Sequence, residues 1–147
     1  MKDQQPEKEF LVLKCHLDVT PAEAFRAWSD PTELAQWWGP EEGDKSVVVD
    51  IDVRPGGSYH IVTNALSGDE YDFSGEYREV VPNKKVSFTW ATGHEKGSST
   101  VTAELASEGD GTNLVLTHQG LATKEERDGC RKGWQGALQK LERQLNT

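Results

Sequence analysis

The chain has 147 residues, 35% hydrophobic and 28% charged, which suits one globular domain that buries roughly two-thirds of its unfolded surface without a staple. Its formal net charge of −9, with Lys84-Lys85 and Arg131-Lys132 as the only adjacent basic pairs, excludes nucleic acid, because a phosphate backbone demands a basic stripe. No apolar run nears the ~20 residues that cross a bilayer, and residues 1–9 carry no apolar secretory core, so neither stable membrane insertion nor export is expected.

The N-terminal stretch, residues 1–8, is polar and charged and reads as a flexible lead into a first strand over 10–19. Thr20-Pro21-Ala22-Glu23 is a helix start, with Thr20 able to cap, Pro21 suited to the first turn and Glu23 completing a capping box. That helix buries Ala24, Phe25 and Trp28 by spacing. Asp30-Pro31 opens a second short helix through Leu34, Trp37 and Trp38, and Gly39-Pro40 stops it. From Ser46 the period becomes two. Val47, Val49, Ile51 and Val53 are expected on one face of the second strand, then Tyr59, Ile61 and Thr63 on one face of the third.

Residues 70–81 form the fourth strand, Val86, Phe88 and Trp90 share a face of the fifth, 92–97 form a loop, and 98–106 and 112–119 form the last two strands. From Lys124 the pattern is helical to the end. Cys130, Trp134, Ala137, Leu138, Leu141 and Leu145 make one apolar stripe. Gly133 and Gly136 interrupt it, each costing about 1 kcal/mol relative to Ala, which suggests either close approach by a sheet or room for a ligand. Hairpin-length links imply an antiparallel sheet of six to seven strands. The fold class is therefore α+β, with a curved sheet gripping a long C-terminal helix and two short helices after the first strand.

Several motifs also carry a family resemblance: Thr20-Pro21-Ala22-Glu23, Trp28-Ser29-Asp30-Pro31, Gln36-Trp37-Trp38-Gly39-Pro40, and the run from Asp52 through Arg54-Pro55-Gly56-Gly57 to Tyr59. Further along stand Gly75-Glu76-Tyr77, Phe88-Thr89-Trp90, Leu116-Thr117-His118 and Gly133-Trp134. In this order they resemble the activator of Hsp-ninety ATPase homologue-like family, within the START and birch-pollen-allergen superfamily of helix-grip folds. The resemblance implies a helix-grip domain across nearly the whole chain and a cavity under its last helix. It does not specify a ligand, since relatives bind lipids, polyketides or hormones, some bind a chaperone, and a few are cyclases.

The aromatics are the richest set of candidate site residues, with five tryptophans in the chain. Each either fills the core or lines a pocket. The candidate lining is Trp37, Trp38, Tyr59, Ile61, Phe73, Tyr77, Phe88, Trp90, His118, Trp134 and Leu138. His118 shares a strand face with Leu114 and Leu116, and so points inward either as a bonded core histidine or as a ligand contact. Asp50, Asp52, Glu76 and Glu79 could in principle do acid–base work, but salt bridges such as Arg54 with Asp52 or Glu79 are the expected use.

Cys15 and Cys130 are far apart and fit no metal or redox spacing, so two free thiols and a cytoplasmic setting are expected. The four histidines are dispersed and make no metal site, and no nucleophile elbow occurs. The expected function is binding of a small hydrophobic or aromatic, lipid- or polyketide-like ligand, with no cofactor, no metal and no catalytic residue. The alternative is a co-chaperone-like module whose partner is the Hsp-ninety chaperone. An enzyme built on His118 ranks below both.

Overall fold

The computed structural model describes residues 10–39, 43–92, 99–121 and 123–146. The expected tail at 1–8, the stop at Pro40 and the loop at 93–97 lie outside them. In chain order the elements are β1 (Phe10–Leu17), α1 (Pro21–Ser29), α2 (Pro31–Trp37), β2 (Lys45–Ile51), β3 (Ser58–Asn64), β4 (Glu70–Val81), β5 (Lys85–Thr92), β6 (Ser99–Glu108), β7 (Gly111–Gln119) and α3 (Lys124–Leu145).

The strands form one seven-stranded sheet in the order β1-β7-β6-β5-β4-β3-β2, antiparallel throughout. β2 to β7 run as a meander, and β1 returns to pair with β7, so the two halves of the helical insert's flanking strands end up as opposite edges. α3 lies against β1 and α2. Its buried side, Trp134, Ala137, Leu138 and Leu141, joins the same core as the inward faces of β3, β5, β6 and β7.

The helix starts follow from local chemistry. Thr20 Oγ1 accepts from the Glu23 amide at 3.3 Å while the Glu23 carboxylate accepts from the Thr20 amide at 3.1 Å. Asp30 ends α1 and caps α2, accepting from the amides of Thr32 and Glu33 at 2.8 and 3.1 Å. α3 opens on a second capping box, which the sequence reading did not single out, formed by Thr123 and Glu126. In α1 the buried residues are Ala24, Ala27 and Trp28, whereas Phe25 is only partly buried.

One expected face is corrected. Val47 and Val49 are 58% and 57% exposed, while Val48, Ile51 and Val53 pack toward the core. The register shifts between Val48 and Asp50, and a bulge of one residue reverses the side-chain alternation on either side of it. A second shift between Tyr77 and Glu79 turns Glu79 outward, where it accepts from Lys85 at 3.0 Å. Arg54 pairs with Asp52 at 2.7 Å, and His60 bonds Asp72 on the outer side of the sheet.

At Gly75 the neighbouring strand leaves no room for a side chain: a Cβ would lie 2.2 Å from the Thr89 carbonyl oxygen. Gly75→Ala must push β4 away from β5, and is expected to destabilise by about 1–3 kcal/mol, read as a lowered urea midpoint. An unchanged midpoint would mean that the two strands are free to separate there.

Candidate ligand cavity

Between the sheet and α3 lies a cavity of about 300 Å³. One wall is aromatic: Trp38 from the end of α2, Phe73 from β4, Trp90 from β5 and Trp134 from α3. The rings touch one another continuously. Trp38 has its centroid 5.8 Å from Phe73, 5.8 Å from Trp90 and 5.6 Å from Trp134. Phe73 and Trp90 stand 5.2 Å apart, and Trp90 and Trp134 5.1 Å. The rest of the lining includes a strip of α3 with small side chains, Gly129, Cys130, Gly133 and Ala137, whose three- and four-residue spacing puts them on one helical face. Gly39 completes the lining from the turn after α2, and the exposed Glu126 and Gly129 stand at the mouth.

Trp38 is positioned from the sheet. Ser46 Oγ donates to the Trp38 carbonyl at 2.8 Å and lies 2.7 Å from Thr63 Oγ1, which ties the end of α2 to β2 and β3. Trp134 is positioned by a buried polar chain. Its indole N–H donates to His118 Nδ1 at 3.1 Å, so that nitrogen carries no proton in the bonded state. The imidazole proton therefore sits on Nε2 and is donated to Ser99 Oγ at 3.1 Å, and the serine hydroxyl donates to the Trp90 carbonyl at 3.3 Å. Donors and acceptors close without remainder. The side chain of His118 is fully buried, and burial pushes its pKa down to about 4.

Most of the residues expected to line a pocket divide between two spaces, with Trp38 bordering both. Trp38, Phe73, Trp90 and Trp134 come together at the cavity. Tyr59, Ile61, Tyr77 and Phe88 instead surround a second space of about 10 Å³, room for at most one water. Tyr59 donates its hydroxyl to the Thr89 carbonyl at 2.7 Å. Burial raises the phenol pKa of both Tyr59 and Tyr77, which keeps them neutral. Trp37 is fully buried behind Trp38, its indole N–H donating to the Ala27 carbonyl at 2.9 Å. His118 sits behind Trp134, and Leu138 is buried without reaching the lining.

Sequence reasoning missed Gly39, Glu126, Gly129 and Ala137 as lining residues, and took Cys130 only as part of the apolar stripe. Of the two glycines that interrupt the apolar stripe, Gly133 lines the space and Gly136 does not. The available signal was the run of small residues at helical spacing on α3. Among the described buried side-chain polar atoms, Trp28 Nε1 alone has no protein partner, and Trp28 borders the 10 Å³ space where a single water fits.

Among the described residues no three His, Cys, Asp or Glu side chains are grouped to hold a metal, and no helix is long and apolar enough to cross a membrane. Cys15 and Cys130 are not joined in a disulfide, and burial with the nearby Glu142 charge pushes Cys15 to about 12.

An antiparallel sheet closed on a long C-terminal helix, with two short helices at one end and a cavity between, defines a helix-grip protein. The chain belongs to the family described as Activator of Hsp90 ATPase homolog 1-like protein, which matches residues 18–146. Solved structures agree. Protein CV1439 from Chromobacterium violaceum is 29% identical, with 95% of this chain and 99% of that one covered and a TM-score of 0.86. The AHSA1 protein SPO3351 from Silicibacter pomeroyi is also 29% identical, covering 93% and 97% at a TM-score of 0.81. Protein Ms6760 from Mycobacterium smegmatis, 20% identical over 98% and 95% of the two chains with a TM-score of 0.81, shares the fold. No functionally curated protein matches the chain significantly.

Proposed function

We propose that the protein binds a small apolar or aromatic molecule, lipid- or polyketide-like in character, in the 300 Å³ cavity under α3. That volume stands at the lower end of the range for small-molecule sites, and its mostly apolar lining fits the class. The observation that carries the reading is Gly129. A glycine inside a helix costs about 1 kcal/mol relative to Ala. Yet a Cβ at Gly129 would meet nothing within 4 Å, so no packing contact requires the glycine. Open space at the mouth is what the missing side chain provides.

Two substitutions at this position test the reading. Gly129→Ala is expected to stabilise the protein by about 1 kcal/mol in urea unfolding, since helix propensity improves and nothing clashes. Gly129→Phe should keep the fold but occupy the cavity. Titration of the wild-type protein with flat aromatic probes is expected to shift the tryptophan fluorescence, because Trp38, Trp90 and Trp134 all face the space, and Gly129→Phe should abolish the shift. Binding undiminished in Gly129→Phe would remove the cavity as the site.

The protein is a binding protein rather than an enzyme on this reading. What supports this is the state of His118, whose two ring nitrogens are both committed to neighbours and which lies outside the cavity lining. The cytoplasmic setting belongs to the same reading and draws on the two cysteines, which are not joined in a disulfide. The chaperone-directed alternative has only the family description behind it.

A further inference from the structure

The volume of the cavity and the packing behind it limit what can enter. An apolar cavity of roughly 150 Å³ holds one benzene molecule, so about 25 Å³ serves each heavy atom of a well-packed ligand. On that scale the 300 Å³ under α3 holds a molecule of roughly a dozen heavy atoms, the size of two fused rings.

The space does not continue inward past its lining. Trp38 borders both the cavity and the 10 Å³ space, and the interior on that side is filled with rings. Trp28 has its centroid 6.4 Å from Phe88 and 6.2 Å from Trp134, and Tyr59 stands 5.4 Å from Phe88. Along α3 the lining ends at Ala137, and Leu138 and Leu141 beyond it are buried in the core.

The residues that close the cavity are also held from behind. Swinging Trp134 away would break its bond to His118 and leave a buried acceptor without a partner. The Trp38 carbonyl is tied to Ser46 at 2.8 Å, and Trp37 next to it is fixed by its indole N–H on the Ala27 carbonyl at 2.9 Å. Close-packed surroundings of this kind do not expand to admit a larger guest without strain.

We propose that the cavity selects on size: it takes a compact one- or two-ring compound of up to about a dozen heavy atoms and rejects rigid molecules of four rings. A long-chain lipid gains nothing from carbons beyond that number, because they stay in water. This rests on the reading of the cavity as a ligand site.

Three neutral alcohols of increasing ring number test it: benzyl alcohol, naphthalen-2-ylmethanol and pyren-1-ylmethanol, with the protein titrated calorimetrically into each. The four-ring probe would need roughly 450 Å³ on the same scale. The naphthyl alcohol is expected to bind at least about tenfold more tightly than benzyl alcohol, and the pyrenyl alcohol at least about tenfold more weakly than the naphthyl one. Adsorption to exposed apolar surface follows the opposite course, since it strengthens with every ring. Ala137→Leu lengthens a lining side chain by three carbons and removes roughly 75 Å³ by the same measure. It should weaken the naphthyl alcohol at least about tenfold and benzyl alcohol less than about threefold, which moves the optimum to one ring.

Affinity that climbs from one ring to four in the wild type, with naphthyl binding lost in Gly129→Phe, would overturn the size limit and leave the cavity reading in place. A folded Ala137→Leu protein that keeps the wild-type order would overturn it as well, and the wild-type series decides alone if that variant does not fold. No binding by any probe, or binding indifferent to Gly129→Phe, would overturn both readings.

Discussion

Trp134→Ala is expected to lower stability by about 3–5 kcal/mol, the upper range for deleting a buried aromatic side chain. Trp134 is 4% exposed and touches Trp28, Trp38 and Trp90, with the Trp28 ring stacked at 6.2 Å and an interplanar angle of 25°. Its removal takes out that packing and also the donor to His118 Nδ1, leaving a buried acceptor without a partner. Trp134→Phe separates the two losses, since it keeps a ring but not the N–H; about 1–3 kcal/mol is expected for the unpaired acceptor together with a smaller packing loss. Urea unfolding measures both variants. An alanine variant within 1 kcal/mol of wild type would mean that the ring cluster readily collapses into the gap.

The second large effect is a dependence on pH. The His118 imidazole has an ordinary pKa of 6.5, and burial lowers it to about 4 in the folded protein. The unfolded chain therefore takes up a proton at higher pH than the folded chain does. The stability from this group is fully present above pH 6.5, falls as the pH drops below it, and is lost once the pH passes below about 4. The whole span amounts to roughly 3 kcal/mol, of which about 2 kcal/mol should be gone between pH 7.5 and pH 5.

Protonation also conflicts with the bonding. A proton on Nδ1 would face the Trp134 indole N–H, donor against donor. His118→Asn retains a short acceptor for that indole but does not titrate, so its stability should lack this loss over the same interval. Urea midpoints of the two proteins at pH 7.5 and pH 5 give the comparison. Parallel curves would show that His118 is not held neutral by the fold.

His118 also shows where sequence reasoning stops. Its inward direction was legible, because Leu114, Leu116 and His118 stand two residues apart along one strand, and all three are buried. Its partners were not. Ser99 lies on β6 and Trp134 on α3, and nothing in the local pattern of 111–119 points to either. The same division holds for the aromatics. That Tyr59, Phe88, Trp90 and Trp134 are buried follows from periodicity and size. That Trp90 and Trp134 face open space while Tyr59 and Phe88 close on each other, with centroids 5.4 Å apart, depends on how far α3 stands from each part of the sheet.

The order of elements, both boundaries of β4, the start of α3 and the double role of Asp30 were determined by the sequence alone, because capping, turn chemistry and hydrophobic period act over only a few residues. The bulge at Val49, the selection of four rings as a cavity wall and the neutral state of His118 were decided by tertiary structure. Each depends on volume or hydrogen bonding shared between elements distant in the chain. A strand's register is settled against its partner, and a gap exists only where two surfaces fail to meet.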